Sequence, residues 1–202
     1  RQQVGDAGCA LGDGAGLVQR HDLGVITGTN SVGKTTLAKA LIERFGGIKE
    51  TAKELTFCND SRVCFAGRYR DENRFGGVDA LNCTRVLPDV VAKGLERCEV
   101  IFCEGSYLDT FGMNLTDAMF KAQRHLIVFL YADSKTIHSR LLLRGKKGVS
   151  YQTLPKQKRA CQAAGKWAEI GVPVLCFNTG IMTVEEEIEQ ICIILRSDSY
   201  SG

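Results

Sequence analysis

The sequence contains a glycine-rich stretch whose residue types and spacing suit phosphate binding. Residues 28–35 read Gly-Thr-Asn-Ser-Val-Gly-Lys-Thr, a complete Walker A motif. Glycines let the backbone wrap around a phosphate, and the amides at the start of the next helix point at the anion. The lysine of such a loop reaches the β- and γ-phosphates of ATP, and the last hydroxyl ligates Mg²⁺. The motif therefore predicts a binding site for ATP and Mg²⁺ formed by Gly28, Thr29, Asn30, Ser31, Val32, Gly33, Lys34, Thr35 and Thr36.

The segments that flank this loop match the strand and helix that the motif requires. Residues 23–27 form a short apolar run typical of a buried strand. Residues 36–45 carry apolar side chains at helical spacing, and two glycines end the helix. An accidental glycine turn would need neither flank. We therefore interpret the motif as a nucleotide-binding loop.

Apolar runs alternate with helical patterns along the rest of the chain, which is typical of a parallel sheet covered on both faces. We predict an α/β fold: a three-layer P-loop kinase, similar to nucleoside monophosphate kinases, with a five-stranded parallel sheet and a basic lid. The predicted domain spans residues 23–198, and the glycine-rich residues 1–22 are interpreted as a flexible extension or an artefact. The other predicted strands are 62–66, 100–103, 126–131 and 172–177, and the other predicted helices are 82–97, 114–123, 134–144, one ending near 170, and 184–196.

Length and composition are those of one globular domain. The chain has 202 residues and a net charge of +3, and its apolar runs are too short to span a bilayer, so no membrane partner is expected. Nine cysteines occur without Cys-x-x-Cys spacing, and their odd number argues against a secreted disulfide scaffold. We therefore expect reduced thiols and a cytoplasmic location.

Glu104 is the first residue outside the loop that could perform chemistry. It follows the apolar run 100–103, and the carboxyl ends of buried parallel strands border the ligand crevice of open α/β sheets. There a carboxylate could hold Mg²⁺ together with Thr35, or accept a proton from an acceptor hydroxyl. The alternative is a solvated loop glutamate or a helix cap. We favour function because the strand is wholly apolar and Gly105 follows.

A second group of residues follows the predicted strand 62–66. Guanidinium groups match the geometry of phosphates, and aromatic rings can stack on a base. A carboxylate in the same loop could hydrogen-bond that base or assist proton removal. The alternative is a polar surface loop whose aspartate caps the next helix. The candidate acceptor-binding residues are Arg68, Tyr69, Arg74, Phe75 and Asp79.

A basic segment near the C-terminal half suits a lid. Arg140 and Arg144 are four residues apart on a predicted helix, so both lie on one face, and Gly145 and Gly148 supply a hinge. The alternatives are a solvated basic face and a track for a nucleic-acid backbone. The basic residues are Arg140, Arg144, Lys146, Lys147, Lys156, Lys158 and Arg159.

Three of these segments together resemble a known family. Gly67-Arg68-Tyr69, Gly76-Gly77-Val78-Asp79 and Ile101-Phe102-Cys103-Glu104-Gly105, with the Walker A loop, are similar to motifs of bacteriophage 5-hydroxymethyl-deoxyuridine DNA kinases. The resemblance implies transfer of the ATP γ-phosphoryl group to the 5-hydroxymethyl group of 5-hydroxymethyluracil in phage DNA, with DNA as the partner. The implied catalytic residues are Lys34, Glu104, Asp79, Arg140 and Arg144.

Two alternatives to this function remain open at the level of sequence. The same core could phosphorylate a free nucleotide or nucleoside. The other alternative is a protein that binds or hydrolyses ATP as a switch and has no phosphoacceptor. The sequence also leaves open whether ATP or GTP is preferred and whether Glu104 or Asp79 is the base.

Overall fold

A computed structural model of the chain describes residues 21–69, 76–81, 84–108, 112–146 and 153–197. Residues 1–20 of the predicted extension lie outside the described residues. The strands are β1 (Asp22–Thr27), β2 (Ile48–Thr51), β3 (Leu55–Cys58), β4 (Val63–Ala66), β5 (Val100–Glu104), β6 (Arg124–Tyr131) and β7 (Val174–Asn178). The helices are α1 (Lys34–Arg44), α2 (Leu87–Leu95), α3 (Met113–Met119), α4 (Ser134–Leu143), α5 (Thr153–Glu169) and α6 (Val184–Arg196), with short 3-10 helices at Val78–Ala80, Thr84–Val86 and Ser106–Leu108.

The described strands form one sheet in the order β2-β3-β4-β5-β1-β6-β7. Neighbours from β4 to β7 in this order are parallel, whereas β2 pairs with β3, and β3 with β4, in antiparallel fashion. The prediction of a five-stranded parallel sheet is therefore wrong: the sheet has seven strands and is mixed. All five predicted strands are present within it. The two additional strands form a hairpin at one edge, where β2 is largely exposed and carries no apolar alternation.

Helices cover both faces of the sheet, which gives three layers. Side chains of β1 alternate between the two sides: Val25 lies in one core and Ile26 in the other. The Ile26 side is packed by α1 and α6, for example by Leu41 and Ile191. The Val25 side is packed by α2, α3 and α5, including Trp167. This is the layer arrangement expected for parallel strands connected through helices.

The first strand begins at Asp22, which belongs to the sheet rather than to the predicted extension. Its carboxylate Oδ1 accepts a hydrogen bond of 2.8 Å from Nε of Arg124, the first residue of β6. Both side chains are largely buried, so the pair fixes the start of two neighbouring central strands. The carboxyl ends of the same strands then meet at the opposite edge of the sheet.

Two composition-based expectations concern the described part of the chain. None of the helices described there is long and apolar enough to cross a membrane. The seven cysteines within it carry free thiols: Cys58, Cys64, Cys98, Cys103, Cys161, Cys176 and Cys192.

Candidate active site

The Walker A loop curls between β1 and α1 and is held in shape by residues with positive φ. Gly28, Ser31 and Gly33 have φ angles of 141°, 65° and 104°. A Cβ on Gly28 would also lie 2.3 Å from the carbonyl oxygen of Leu130, so this position requires glycine for space as well as conformation. Lys34 is buried, and its Nζ donates hydrogen bonds of 2.9 Å to the carbonyl oxygens of Gly28 and Thr29. The ammonium group therefore lies across the mouth of the loop.

Thr35 and Glu104, predicted from sequence as a metal-binding pair, lie in contact. Thr35 Oγ1 donates a hydrogen bond of 3.1 Å to Oε1 of Glu104. Glu104 is the last residue of β5 and is only 2% exposed. Hydroxyl and carboxylate oxygens are ligands that Mg²⁺ prefers, so this pair fits the metal that the motif implies. No cluster of three or more histidine, cysteine, aspartate or glutamate side chains that could hold a metal occurs among the described residues.

Burial controls the protonation of Glu104. It raises the pKa of the carboxyl group to about 7, against the pull of the Lys34 ammonium and of the Thr35 hydrogen bond, which lower the pKa. The nearby Asp79 carboxylate raises it further, and the Tyr69 hydroxyl lowers it slightly. A carboxylate whose pKa lies near neutral pH is matched to accepting and releasing a proton.

Glycines pack directly against this carboxylate. A Cβ on Gly77 would lie 2.3 Å from the Glu104 carbonyl oxygen and 2.7 Å from Oε1. A Cβ on Gly67 would in turn lie 2.1 Å from the Gly77 carbonyl oxygen. Both glycines have positive φ angles, 70° for Gly77 and 101° for Gly67. The two glycine motifs thus let the backbone close over Glu104, which is why its side chain is so deeply buried.

Asp79 supports the turn that follows Glu104. Both of its carboxylate oxygens accept from the amide of Ser106, at 2.9 and 3.1 Å, at the start of the Ser106–Leu108 helix. This contact differs from the alternative of a cap on the next helix, because the amide that Asp79 holds belongs to the turn after β5. Ser106 Oγ also donates to Oδ1 of Asn30 at 2.9 Å, which ties this turn to the Walker A loop. Ser106 is a site residue that sequence reasoning missed, because only its position after Glu104-Gly105 pointed to it.

The predicted acceptor residues are only partly assembled. Arg68 is exposed, and its Nε donates to the carbonyl oxygen of Lys53 at 2.7 Å. Lys53 precedes β3, so the guanidinium is anchored at the edge hairpin. Arg74 and Phe75 lie outside the described residues.

Tyr69 was predicted to stack on an acceptor base, but its ring is enclosed by protein. It is 2% exposed and packs edge-to-face on Phe65, with ring centroids 5.7 Å apart. A Cβ on Gly76 would lie 2.7 Å from the ring. Thr56 of β3 fixes this segment: its hydroxyl accepts from the Tyr69 amide at 3.1 Å. In this structure the ring is a wall of the Glu104 site and offers no open face to a base.

The Tyr69 hydroxyl is directed toward the carboxylate of Glu104. It is buried and makes no hydrogen bond of ordinary geometry with a described residue. Burial and the negative charge of Glu104 raise the pKa of this phenol well above its usual range. The hydroxyl is therefore a neutral dipole beside Glu104.

Arg140 and Arg144 lie on one side of a pocket next to the Walker A loop, as their spacing on α4 predicts. Arg140 Nη1 donates to Thr179 Oγ1 at 2.8 Å, and Nη2 donates to the Thr179 carbonyl oxygen at 2.6 Å. Nη1 also lies 3.5 Å from the carbonyl oxygen of Ser31 in the loop. Arg140 thus joins the loop to the segment after β7. Arg144 is the C-terminal cap of α4 and is exposed.

The remaining basic residues are distributed over the start of the predicted lid and α5. Lys146, Lys158 and Arg159 are exposed, and Lys156 is half-buried. Lys147 and Gly148 lie outside the described residues. The exposed cations on α5 are compatible with either the lid or the nucleic-acid track.

The pocket beside the loop has a volume of about 390 Å³. Its lining includes a buried carboxylate, Glu187 of α6, that sequence reasoning missed. The sequence contains a signal for it, because Glu187 falls on the same helix face as Val184, Ile188 and Ile191 and so places a charge in an apolar stripe. The lining residues are Ser31, Val32, Gly33, Thr36, Arg140, Leu143, Arg144, Thr179, Met182, Thr183, Val184 and Glu187.

Comparisons with known proteins reveal the class of fold. No protein-family signature and no curated protein matches the sequence. Among solved structures, YorR from Bacillus subtilis in complex with phosphorylated GDP aligns with a TM-score of 0.52 and 14% identity, over 86% of this chain and 95% of that chain. A sugar kinase from Janibacter sp. HTCC2649 aligns with a TM-score of 0.52 and 15% identity, over 87% of this chain and 94% of that chain.

One further solved structure aligns more loosely. Deoxyadenosine kinase from M. mycoides, with bound dCTP, aligns with a TM-score of 0.46 and 14% identity, over 86% of this chain and 98% of that chain. The two closer alignments and the Walker A geometry define the fold as that of P-loop-type kinases. At these identities the likeness is one of fold.

Proposed function

We propose that this protein is a P-loop kinase that transfers the γ-phosphoryl group of ATP to an alcohol acceptor. The contact between Thr35 and Glu104 is the observation that carries the proposal. It joins a hydroxyl suited to Mg²⁺ with a buried carboxylate of near-neutral pKa, beside the lysine of a phosphate-binding loop. Phosphates held by the loop amides would lie against this pair.

The residues have distinct parts in such a reaction. Lys34 would exchange its carbonyl partners for oxygens of the β- and γ-phosphates and offset the charge that develops there. Thr35 and Glu104 would hold Mg²⁺, which when bound neutralises charge on the same phosphates. Glu104 would orient the acceptor hydroxyl and take its proton as the acceptor oxygen bonds to the γ-phosphorus. The bond from that phosphorus to the β–γ bridging oxygen breaks, and ADP leaves.

We assign the base to Glu104 rather than to Asp79. Both oxygens of Asp79 accept from the Ser106 amide, so this carboxylate is already engaged in holding the backbone, whereas Glu104 lies beside Thr35 and Lys34. Asp79 would act as a positioning residue, since it holds the turn that follows Glu104. Arg140, anchored on Thr179 beside the loop, would hold the loop against the nucleotide rather than close over it from a distance.

We further propose that the acceptor is the 5-hydroxymethyl group of 5-hydroxymethyluracil in DNA. The support is that the three motifs that resemble those of the phage DNA kinases lie around Glu104: Gly67 packs on Gly77, Gly77 on the carboxylate, and Asp79 on the turn beyond it. Extrusion of a base from a duplex costs a few kcal/mol, of which phosphate contacts can supply part. The exposed Lys158 and Arg159 of α5 are candidates for those contacts.

A free (deoxy)nucleotide or nucleoside is the second candidate acceptor. The enclosure of the Tyr69 ring favours it, because the predicted stacking surface for an extruded base is covered. A small soluble acceptor needs no such surface. A switch protein without an acceptor is less well supported, since a buried carboxylate beside Thr35 suits proton transfer from an alcohol.

Phosphoryl transfer from γ-labelled ATP tests these alternatives. The acceptors are an oligonucleotide duplex with 5-hydroxymethyluracil, the same duplex with thymine, and free 5-hydroxymethyl-deoxyuridine and its monophosphate. We expect label in the hydroxymethylated duplex and none in the thymine duplex. Label confined to the free compounds would overturn the DNA assignment, and release of phosphate without transfer to any acceptor would overturn the kinase assignment.

A further inference from the structure

The pocket beside the Walker A loop is contiguous with the predicted phosphate site. Ser31, Val32 and Gly33 belong to the loop and also line the pocket. A group joined through a sugar to phosphates on the loop can therefore reach it. Apolar side chains such as Leu143 and Met182 line it as well, and they suit the faces of an aromatic ring.

Glu187 is an unmatched acceptor in this pocket. Its side chain is 2% exposed and makes no hydrogen bond or ion pair with any described residue. The positive charge of Arg140 attracts the Glu187 carboxylate, but the guanidinium donates its hydrogen bonds to Thr179 instead. Burial raises the pKa of Glu187 to about 7, and the Glu185 charge adds to the effect. A largely buried carboxylate that borders a pocket and has no donor among the described residues is suited to a ligand that brings N–H groups.

We propose that Glu187 determines which nucleotide base this pocket accepts, by accepting a hydrogen bond from an amino group of a purine. The inference rests on the proposed function, because it requires a nucleotide on the loop. Adenine offers the 6-amino group, and guanine offers the 2-amino group beside N1–H. The shared chemistry is an amino N–H directed at a carboxylate.

Equilibrium binding of nucleotide pairs to the full chain tests the proposal and separates the two bases. ATP is compared with purine riboside triphosphate, which lacks only the 6-amino group, and GTP with ITP, which lacks only the 2-amino group. We expect one pair to differ in Kd by about ten- to a hundredfold, the usual cost of leaving a charged acceptor unpaired. Discrimination in the first pair identifies adenine, and discrimination in the second identifies guanine.

Matched variants link the discrimination to Glu187. In Glu187→Leu the ratio within the discriminating pair should fall to within about threefold of unity, whereas Glu189→Leu, at an exposed position of the same helix, should keep the wild-type ratio. The ratio is the readout because loss of a negative charge raises affinity for all triphosphates alike. Persistence of the wild-type ratio in Glu187→Leu would overturn the proposal.

The wild-type comparison is by itself able to overturn the proposal, even where Glu187→Leu does not fold. Binding of all four nucleotides with equal Kd in each pair would overturn the role of Glu187 and leave the proposed kinase function intact. Absence of binding by any nucleotide would overturn both. Thermal unfolding of each variant establishes that the measured ratios belong to folded protein.

Discussion

The Thr35 hydroxyl donates to Glu104 Oε1 across 3.1 Å and so joins the first turn of α1 to the carboxyl end of β5. The two residues are 69 positions apart in sequence. Glu104 is buried at this point because Gly77 closes over it, and burial brings its pKa to about 7. The Walker A loop and a buried carboxylate of near-neutral pKa therefore share one hydrogen bond.

Replacement of Lys34 should remove most phosphoryl transfer. Its ammonium is the cation at the mouth of the loop, and loss of one such stabilising donor costs about 10²–10³-fold in rate. Lys34→Ala should therefore lower kcat by at least that factor. Lys39→Ala, at an exposed position of the same helix, is the control and should transfer at the wild-type rate.

Gly77→Ala should destabilise the protein and disturb Glu104. The added Cβ would lie 2.3 and 2.7 Å from two oxygens of Glu104, at a φ of 70°. Positive φ alone costs about 1 kcal/mol. Because the clash adds to this cost, Gly77→Ala should lower the free energy of unfolding by about 2 kcal/mol or more. Urea denaturation measures it.

Gly145→Ala separates backbone strain from the clash. Gly145 has a nearly equal φ of 68°, but nothing lies within 4 Å of the position of its Cβ. This variant should lose only the strain energy. Equal losses of stability in the two variants would show that the contact of Gly77 with Glu104 contributes nothing.

Asp79 should matter for structure more than for proton transfer. Asp79→Asn keeps a carbonyl oxygen for the Ser106 amide, so kcat should stay within about tenfold of wild type. Asp79→Ala removes the acceptor and should cost about 1–2 kcal/mol of stability, like the loss of a helix cap. A loss of kcat in Asp79→Asn as large as that in Glu104→Gln would instead identify Asp79 as the base.

The acidity of Glu187 predicts a pH dependence of stability. Its folded-state pKa of about 7 lies above the ordinary value of about 4.3, so the folded state holds the proton more tightly. The stabilisation from this tighter proton binding is complete below about pH 4.3 and is lost as the pH rises through about 7. Arg140 and Arg144 are the cations that line the same pocket, and Glu185 is the acid on α6 whose charge acts on Glu187.

Glu187→Gln should remove this dependence. Between pH 5 and pH 8 the wild type should lose about 1–2 kcal/mol more stability than the variant, with the pocket's access to water limiting the effect. Glu104 titrates in both proteins and cancels in the difference. Chemical denaturation at both pH values measures this difference in stability, with Glu189→Gln as the control. Parallel pH profiles for wild type and Glu187→Gln would contradict the assignment.

The parts of the fold that sequence predicted are those with a strong local signal. The Walker A motif and the apolar run before it located β1 and α1, and the buried run before Glu104 located β5. The β2–β3 hairpin was missed because Ile48–Thr51 is exposed and polar, and Leu55–Cys58 is buried but only four residues long. That hairpin nevertheless positions Tyr69 through Thr56.

The positions of the candidate site residues were predicted better than their contacts. Glu104 at a strand end was identified, since the position follows from the strand itself. The partner of Asp79 could not be predicted, because it depends on how the chain turns after β5. Likewise the enclosure of Tyr69 follows from its contact with Gly76 and Phe65, which no local pattern encodes.

The most direct test of the central claim is single-turnover phosphoryl transfer by Glu104→Gln, with the acceptor that wild type labels best. Glutamine keeps the shape and an oxygen for Thr35 but cannot take a proton. At saturating ATP and Mg²⁺ the variant should transfer phosphate about 10²–10⁴-fold more slowly than wild type. Transfer by Glu104→Gln at close to the wild-type rate would contradict the role of Glu104.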